Sequence, residues 1–333
     1  MKQRTLALVA ICICMPAAFA AAEEAGLMKP EKPYAFMERT YLSPLSPFGK
    51  DLILEGQVST HYFFINNLGD LPWQREGGNR WTLSASILLT VRIYDDFSSP
   101  VRTPSFMVRP VYLQRLFLRR KDDTFRLIEC AVGLMHHSNG QSGCTFLGME
   151  YDPDTDDCVV TDPALYALRI ANTLDGSFST NYIPLHAGVR WGRLDNNAAV
   201  TRQVSLEGFG EIHPEGFLKG GLAPDLAAEY GQVMAGLGIT GEWCRPDRGA
   251  LRVALYQQAR FGPDKPDTDW SGQLEMSHVW YGAGDVGAFV RFHWGNDYYN
   301  IRFQDVDSFV SVGLIWDPSR LDQFHPARRQ RVP

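Results

Sequence analysis

Residues 81–93, Trp81-Thr-Leu-Ser-Ala-Ser-Ile-Leu-Leu-Thr-Val-Arg-Ile93, decide the fold. Trp81, Leu83, Ala85, Ile87, Leu89, Val91 and Ile93 alternate with Thr82, Ser84, Ser86, Leu88, Thr90 and Arg92. In a β-strand, residues two apart project to the same side, so this segment has one apolar face and one polar face that carries an arginine. An apolar outside and a polar inside is the pattern of a strand that crosses a membrane in a barrel. The same alternation recurs. Leu251, Val253 and Leu255 stand against Arg252, Ala254 and Tyr256, and Val286, Ala288, Val290, Phe292 and Trp294 against Gly287, Phe289, Arg291 and His293.

Working outward in both directions, the spacing predicts twelve strands near 34–43, 51–66, 80–93, 105–119, 123–138, 181–192, 199–211, 228–243, 249–261, 270–281, 285–295 and 299–316. The expected fold is therefore all-β, an antiparallel transmembrane β-barrel of twelve strands over 34–317. A secreted β-sandwich also alternates. It does not usually need Trp, Tyr and Phe at strand ends on the same face as the apolar row, which is how a barrel builds its interfacial girdles. Connections alternate in length. Those at 119–123, 194–198, 244–248 and 282–284 are short, and those at 139–180, 212–227 and 262–269 are longer. With the N-terminus inside, the fifth strand rises outward and the 139–180 loop is external.

The ends complete the domain plan. Lys2 and Arg4, an apolar run from Leu6 to Ala18 and Ala18-Phe19-Ala20 read as a signal peptide over 1–20, implying export. A polar periplasmic arm follows over 21–33, and 318–333 is a C-terminal extension. The formal net charge is −6 with basic residues dispersed, which argues against a nucleic-acid partner.

Chemistry concentrates at the outer end of the fifth strand. Ile128, Cys130, Val132, Leu134, His136 and Ser138 share its lipid face, so the apolar row ends in a histidine and a serine about 6.6 to 7 Å apart along the strand. That spacing allows an imidazole to activate a hydroxyl for attack on an ester. His137 points the other way, which also makes His136-His137 a poor metal pair. On the next strand Asn181, Ile183, Leu185, Ala187, Val189 and Trp191 form a second lipid-facing row, again polar only at its outer end. Asn181 can fix the His136 tautomer from about 4.8 Å away, without placing a carboxylate beside hydrocarbon. Taken singly, an interfacial histidine is usually only that, and Ser-Asn-Gly is most often a turn.

These residues resemble the outer-membrane phospholipase A family of Gram-negative bacteria. The likeness runs from about Tyr34 to Asp317, strongest at HHSNGQS (136–142) and SSPVRTPSF (98–106). It implies that His136 is the base, Ser138 the nucleophile, Gly140 an N–H donor to the oxyanion and Asn181, within SFSTNY, the orienting amide. It implies hydrolysis of glycerophospholipid acyl esters (A1/A2 and lysophospholipase type), a calcium ion bound just after the serine, and control by a homodimer. Two departures stand out: Asn181 lies 43 residues after Ser138 because of an insertion, and the calcium-binding stretch reads Gln141-Ser142-Gly143, without its carboxylate. Gln141 and Ser142 remain the candidate metal ligands, and Asp152, Asp154, Asp156 and Asp157 in the insertion are hard oxygen donors that also suit a solvated loop. Cys144 and Cys158 bracket that acidic stretch. A disulfide between them would contribute about 3 kcal/mol. Cys130 and Cys244 are expected to be free thiols. The alternatives are a lipid A deacylase, for which Glu129 or Glu150 would be the third group, and a non-catalytic porin or structural barrel.

Overall fold

The computed structural model describes residues 38–317, apart from 49–51, 67–77, 95–103, 141–143, 145–147, 156, 167–176, 197–199, 223, 246–247, 263–267, 281–284 and 300–304. The expected signal, arm and extension lie outside these residues, as do Gln141 and Ser142. The barrel strands are β1 (Thr40–Phe48), β2 (Leu52–Asn66), β3 (Gly78–Tyr94), β4 (Ser105–Lys121) and β5 (Thr124–Ser138), then β8 (Ser179–Leu194), β9 (Val200–Ile212), β10 (Val233–Arg245), β11 (Gly249–Phe261), β12 (Asp269–Trp280), β13 (Val286–Asn296) and β14 (Val306–Trp316). All twelve pair antiparallel with their neighbours, and β1 closes on β14 with Thr40 opposite Trp316.

The alternation that predicts the strands also sorts their faces. Thr82, Ser84, Ser86, Leu88, Thr90 and Arg92 of β3 are buried in the lumen, while Trp81 and Ile87 are exposed on the outside. Exposed apolar residues such as Val132, Leu185, Leu206, Ile239, Leu255, Met276 and Phe292 cover the exterior of successive strands. So continuous an apolar surface has lipid, not water, as its stable partner.

The lumen is packed with charge. Glu55 accepts from Arg92 Nε (2.6 Å) and from the hydroxyls of Tyr41 (2.7 Å) and Tyr298 (2.7 Å), and Arg92 Nη1 reaches Asp297 at 2.7 Å. Arg291 and Arg39 meet Glu275 at 3.1 and 2.7 Å. Removing one member of such a buried pair typically costs about 3–5 kcal/mol, because its partner is left charged and unpaired.

Several boundaries differ from the sequence reading, each for a local reason. The eighth expected strand begins at 228, but Pro224–Tyr230 is a helix and β10 starts at Val233. Proline opens that helix, and its Leu226, Ala227 and Tyr230 bury against Phe178 and Leu222 at the barrel mouth next to Asn139. The twelfth strand starts at 306 instead of 299, since Tyr298 and Tyr299 turn inward and stack 4.8 and 4.6 Å from Arg92. Cys244 lies within β10 rather than in a turn, buried outside the disulfide with its thiol donating to Glu242 Oε1 at 3.2 Å. The described residues of the 139–180 insertion include a hairpin, β6 (Met149–Asp152) with β7 (Asp157–Val160), and a short helix, Pro163–Tyr166. Cys144 and Cys158 are joined by a disulfide, with Cα atoms 5.4 Å apart.

One irregularity positions the site. Between β4 and β5 the pairing runs Val108 with His136 and then Val111 with Leu134, so that Arg109 and Pro110 together oppose Met135. Proline has no ladder N–H to give and sits naturally in such a bulge. Gly133 accommodates it: a Cβ there would lie 2.6 Å from the Val111 carbonyl. The extra residue turns Arg109 into the lumen, where its guanidinium holds Glu38 with two 2.7 Å bonds.

Candidate active site

His136 and Asn181 are direct cross-strand partners on β5 and β8, at the outer end of the two exterior rows, and Ser138 stands opposite Ser179 one step further out. His136 Nδ1 lies 2.7 Å from Asn181 Oδ1. The opposite side of the amide settles its orientation, because Asn181 Nδ2 lies 2.9 Å from the Phe217 carbonyl, which can only accept. Nδ2 is therefore the donor there and Oδ1 the acceptor toward the ring. It follows that the neutral form of His136 carries its proton on Nδ1 and its lone pair on Nε2. That is the tautomer a general base needs.

Phe217 reaches Asn181 because the β9–β10 connection folds over the barrel rim. The turn Phe217–Lys219 lies against β8, with Gly216 (φ 61°), Leu218 (φ 53°) and Lys219 (φ 61°) in the left-handed region. Such conformations in non-glycine residues are held only where the surroundings demand them. Gly220 fits because a Cβ at that position would stand 2.8 Å from Asn181 Nδ2. The cluster Gly216, Gly220 and Gly221 marks a tight turn in the sequence, but nothing there says which side chain the turn will meet.

No hydrogen bond joins Ser138 Oγ to the His136 ring. Rotation about the serine Cα–Cβ bond is the motion that would bring it to Nε2, and such contacts are often open in unliganded sites. Gly140, exposed and at φ 65°, follows directly, and no described residue accepts from its N–H. Asn139 between them is buried and fixed: its N–H and its side-chain Oδ1 bind the backbone C=O and N–H of Phe178, both at 3.1 Å. Sequence reading takes this asparagine as part of a turn. It is the clasp between the end of β5 and the start of β8.

Behind the wall, at the same level, lies a second polar chain. Thr180 Oγ1 meets His213 Nδ1 at 3.0 Å, and His213 Nε2 meets Glu211 at 3.1 Å. Tyr182 stacks on His213, and Phe178 packs against His137 and Tyr230. His137 is bonded to Ser105 of β4, facing inward as its parity requires. Burial holds the Tyr230 hydroxyl well above its ordinary pKa, so it stays neutral beneath the Arg260 guanidinium, 4.0 Å from its ring.

Among the described residues, no set of oxygen donors for calcium assembles around Ser138. Gly143 offers no side chain. Asp152 Oδ1 is engaged by the Asp154 N–H at 2.9 Å, in the turn of the exposed hairpin. Glu150 is exposed on the same hairpin and Glu129 is buried in the lumen, so the described partner of His136 is the amide and not a carboxylate. Glu129, His186 and Glu207 place donor atoms within 4.8 Å of one another, but on the lumen side. There Arg190 (3.4 Å from Glu129) and the 3.1 Å His186–Glu207 contact balance the charge.

The fold and the site together define a twelve-stranded membrane β-barrel with an amide-oriented histidine and a serine at one end of its lipid face. No protein-family model matches the chain, and no curated protein matches it by sequence. Among solved structures it is similar to an active-site mutant of outer membrane phospholipase A from Escherichia coli, at 13% identity and a TM-score of 0.48 over 87% of this chain and 93% of that one. It is similar to the Salmonella typhi outer membrane phospholipase dimer with bound calcium, at 13% identity and a TM-score of 0.47 over 87% and 94%. The NanC porin follows at 8% identity and a TM-score of 0.40 over 84% and 100%. At such identities and scores the functional reading rests on the site's own geometry.

Proposed function

We propose that this barrel resides in the outer membrane and hydrolyses the acyl esters of glycerophospholipids. Ser138 attacks the ester carbonyl while His136 Nε2 accepts its proton, and the ring returns that proton to the leaving alcohol. Water deprotonated by the same ring then cleaves the acyl-Ser138 ester, which releases the fatty acid and restores the serine. Asn181 is a positioning residue that holds the tautomer. The Gly140 N–H is placed to donate to the oxyanion. What carries the reading is the amide of Asn181, fixed by the Phe217 carbonyl so that it can only accept from His136 Nδ1. A lipid-facing site suits a substrate whose acyl chains need not leave the membrane.

The test is release of fatty acid from phospholipid in mixed micelles by refolded protein, wild type against Ser138→Ala. Release that disappears in the variant supports the reading. Its absence from a folded wild type removes it, and parallel mass spectrometry of lipid A from cells with and without the protein then reads deacylation. Homodimeric control belongs to the same proposal: specific activity should rise with the protein-to-detergent ratio.

A further inference from the structure

The opposite end of the barrel carries an unusual concentration of positive charge on its outer face. Arg119 of β4 is the direct cross-strand partner of Arg126 on β5, and Arg193 of β8 is the partner of Arg202 on β9. Trp191 pairs with Arg126 and Trp243 with Arg202, and the Arg126 guanidinium lies 6.0 Å from the Trp191 ring. All six side chains are exposed, and together they line a cleft of about 1040 Å³. Strand parity puts them on the same side as Phe117, Ile128 and Val204, the lipid-facing row.

Like charges placed directly opposite in a sheet repel. In the lumen of this protein, Arg92, Arg109 and Arg291 each hold a carboxylate. Among the described residues none of the four exterior arginines has such a partner; the acids nearest in sequence are Asp122, Asp123 and Asp195, on the turns beyond the strands, and Glu129, which is buried on the lumen face. Two arginine pairs without counter-ions, flanked by two tryptophans at interfacial depth, call for an anion supplied from outside the chain. Guanidinium groups match phosphate oxygens, and the indoles would lie against glycerol and upper acyl chain.

We infer that this face is a binding site for an anionic glycerophospholipid of the leaflet at the short-turn end, held through its phosphate by Arg126, Arg193 and Arg202. The site does not depend on the catalytic reading, and it lies at the other end of the same wall.

Native mass spectrometry of the detergent-solubilised full chain tests this, using ether-linked phosphatidylglycerol and ether-linked phosphatidylcholine, which no esterase cleaves. The expected result is a preference on the order of 100-fold for phosphatidylglycerol in the wild type, from the roughly 1 kcal/mol that each of the three arginines contributes. That preference should be lost in Arg193→Gln/Arg202→Gln. Equal retention of the two lipids by the wild type, a preference that survives the double variant, or equally tight binding of free glycerol phosphate would overturn it. Should the double variant fail to fold, binding to wild-type protein in nanodiscs decides. The preference must shrink between about 50 and 500 mM salt, and one that salt leaves untouched contradicts a phosphate site.

Discussion

Two hydroxyl–histidine chains lie back to back on β8, the outer one reaching across to β5 and the inner one to the end of β9. Outside, Ser138, His136 and Asn181 are half-exposed at the end of the lipid face. Inside, Thr180, His213 and Glu211 are already joined by hydrogen bonds of 3.0 and 3.1 Å, a more complete copy of a nucleophile–base–acid relay than the outer one. Yet Thr180 and His213 are 0% and 1% exposed, capped by Tyr182, Phe178 and Tyr230. Connectivity alone therefore does not mark a reaction centre. A buried relay that no ester can reach satisfies polar groups and stiffens the wall, whereas an incomplete one facing acyl chains is placed to act.

The sharpest way to break this comparison is to remove each hydroxyl in turn. Ser138→Ala should lower fatty-acid release by about 10³-fold or more, the scale on which nucleophiles act. Thr180→Val should leave release within about threefold and lower the unfolding midpoint in urea, since a buried acceptor that loses its donor costs about 1–3 kcal/mol. If the two activities change places, the inner chain is the site and the outer is interfacial decoration.

Asn181→Ala comes next in size. It removes the acceptor for His136 Nδ1–H and frees the Phe217 carbonyl, so both ring tautomers become available. A loss of about 10²-fold is expected, in kcat rather than KM, because the base is disturbed and the lipid surface is not. A variant that keeps full kcat would show that the amide only fastens the rim turn to β8.

The barrel was legible because its physics is local: a period of two in Trp81 to Ile93 already separates lipid from lumen. His136, Ser138 and Asn181 were legible by the same parity, as polar residues closing two apolar rows. The partners of these residues were not, because they are distant in sequence and lack any periodic signature. Phe217 meets Asn181 through a turn with three left-handed residues. Asn139 clasps Phe178 across the whole insertion, and 228–230, the end of the helix Pro224–Tyr230, was read as the start of a strand, because apolar residues suit a mouth plug as readily as a sheet. The bulge at Arg109 and Pro110 is a failure of the same kind, one extra residue that reverses the parity of half of β4.

The smallest expected effect concerns the metal. Resemblance places calcium beside Ser138, with Gln141 and Ser142 as ligands, and makes a carboxylate two residues after Gln141 part of the set. Here that position is Gly143, and Asp152 of the insertion spends an oxygen on the Asp154 N–H. Calcium takes six to eight oxygens, and carbonyls and hydroxyls without a carboxylate hold it weakly. Treatment of the refolded enzyme with chelator should therefore change fatty-acid release by less than about twofold, and added calcium should do no more. Full loss on chelation with recovery in calcium would mean that the external loop, Asp156 and Asp157 included, folds back to complete the site. The outer chain would then depend on a segment far from its own strands, and the contrast with the self-contained inner chain would sharpen.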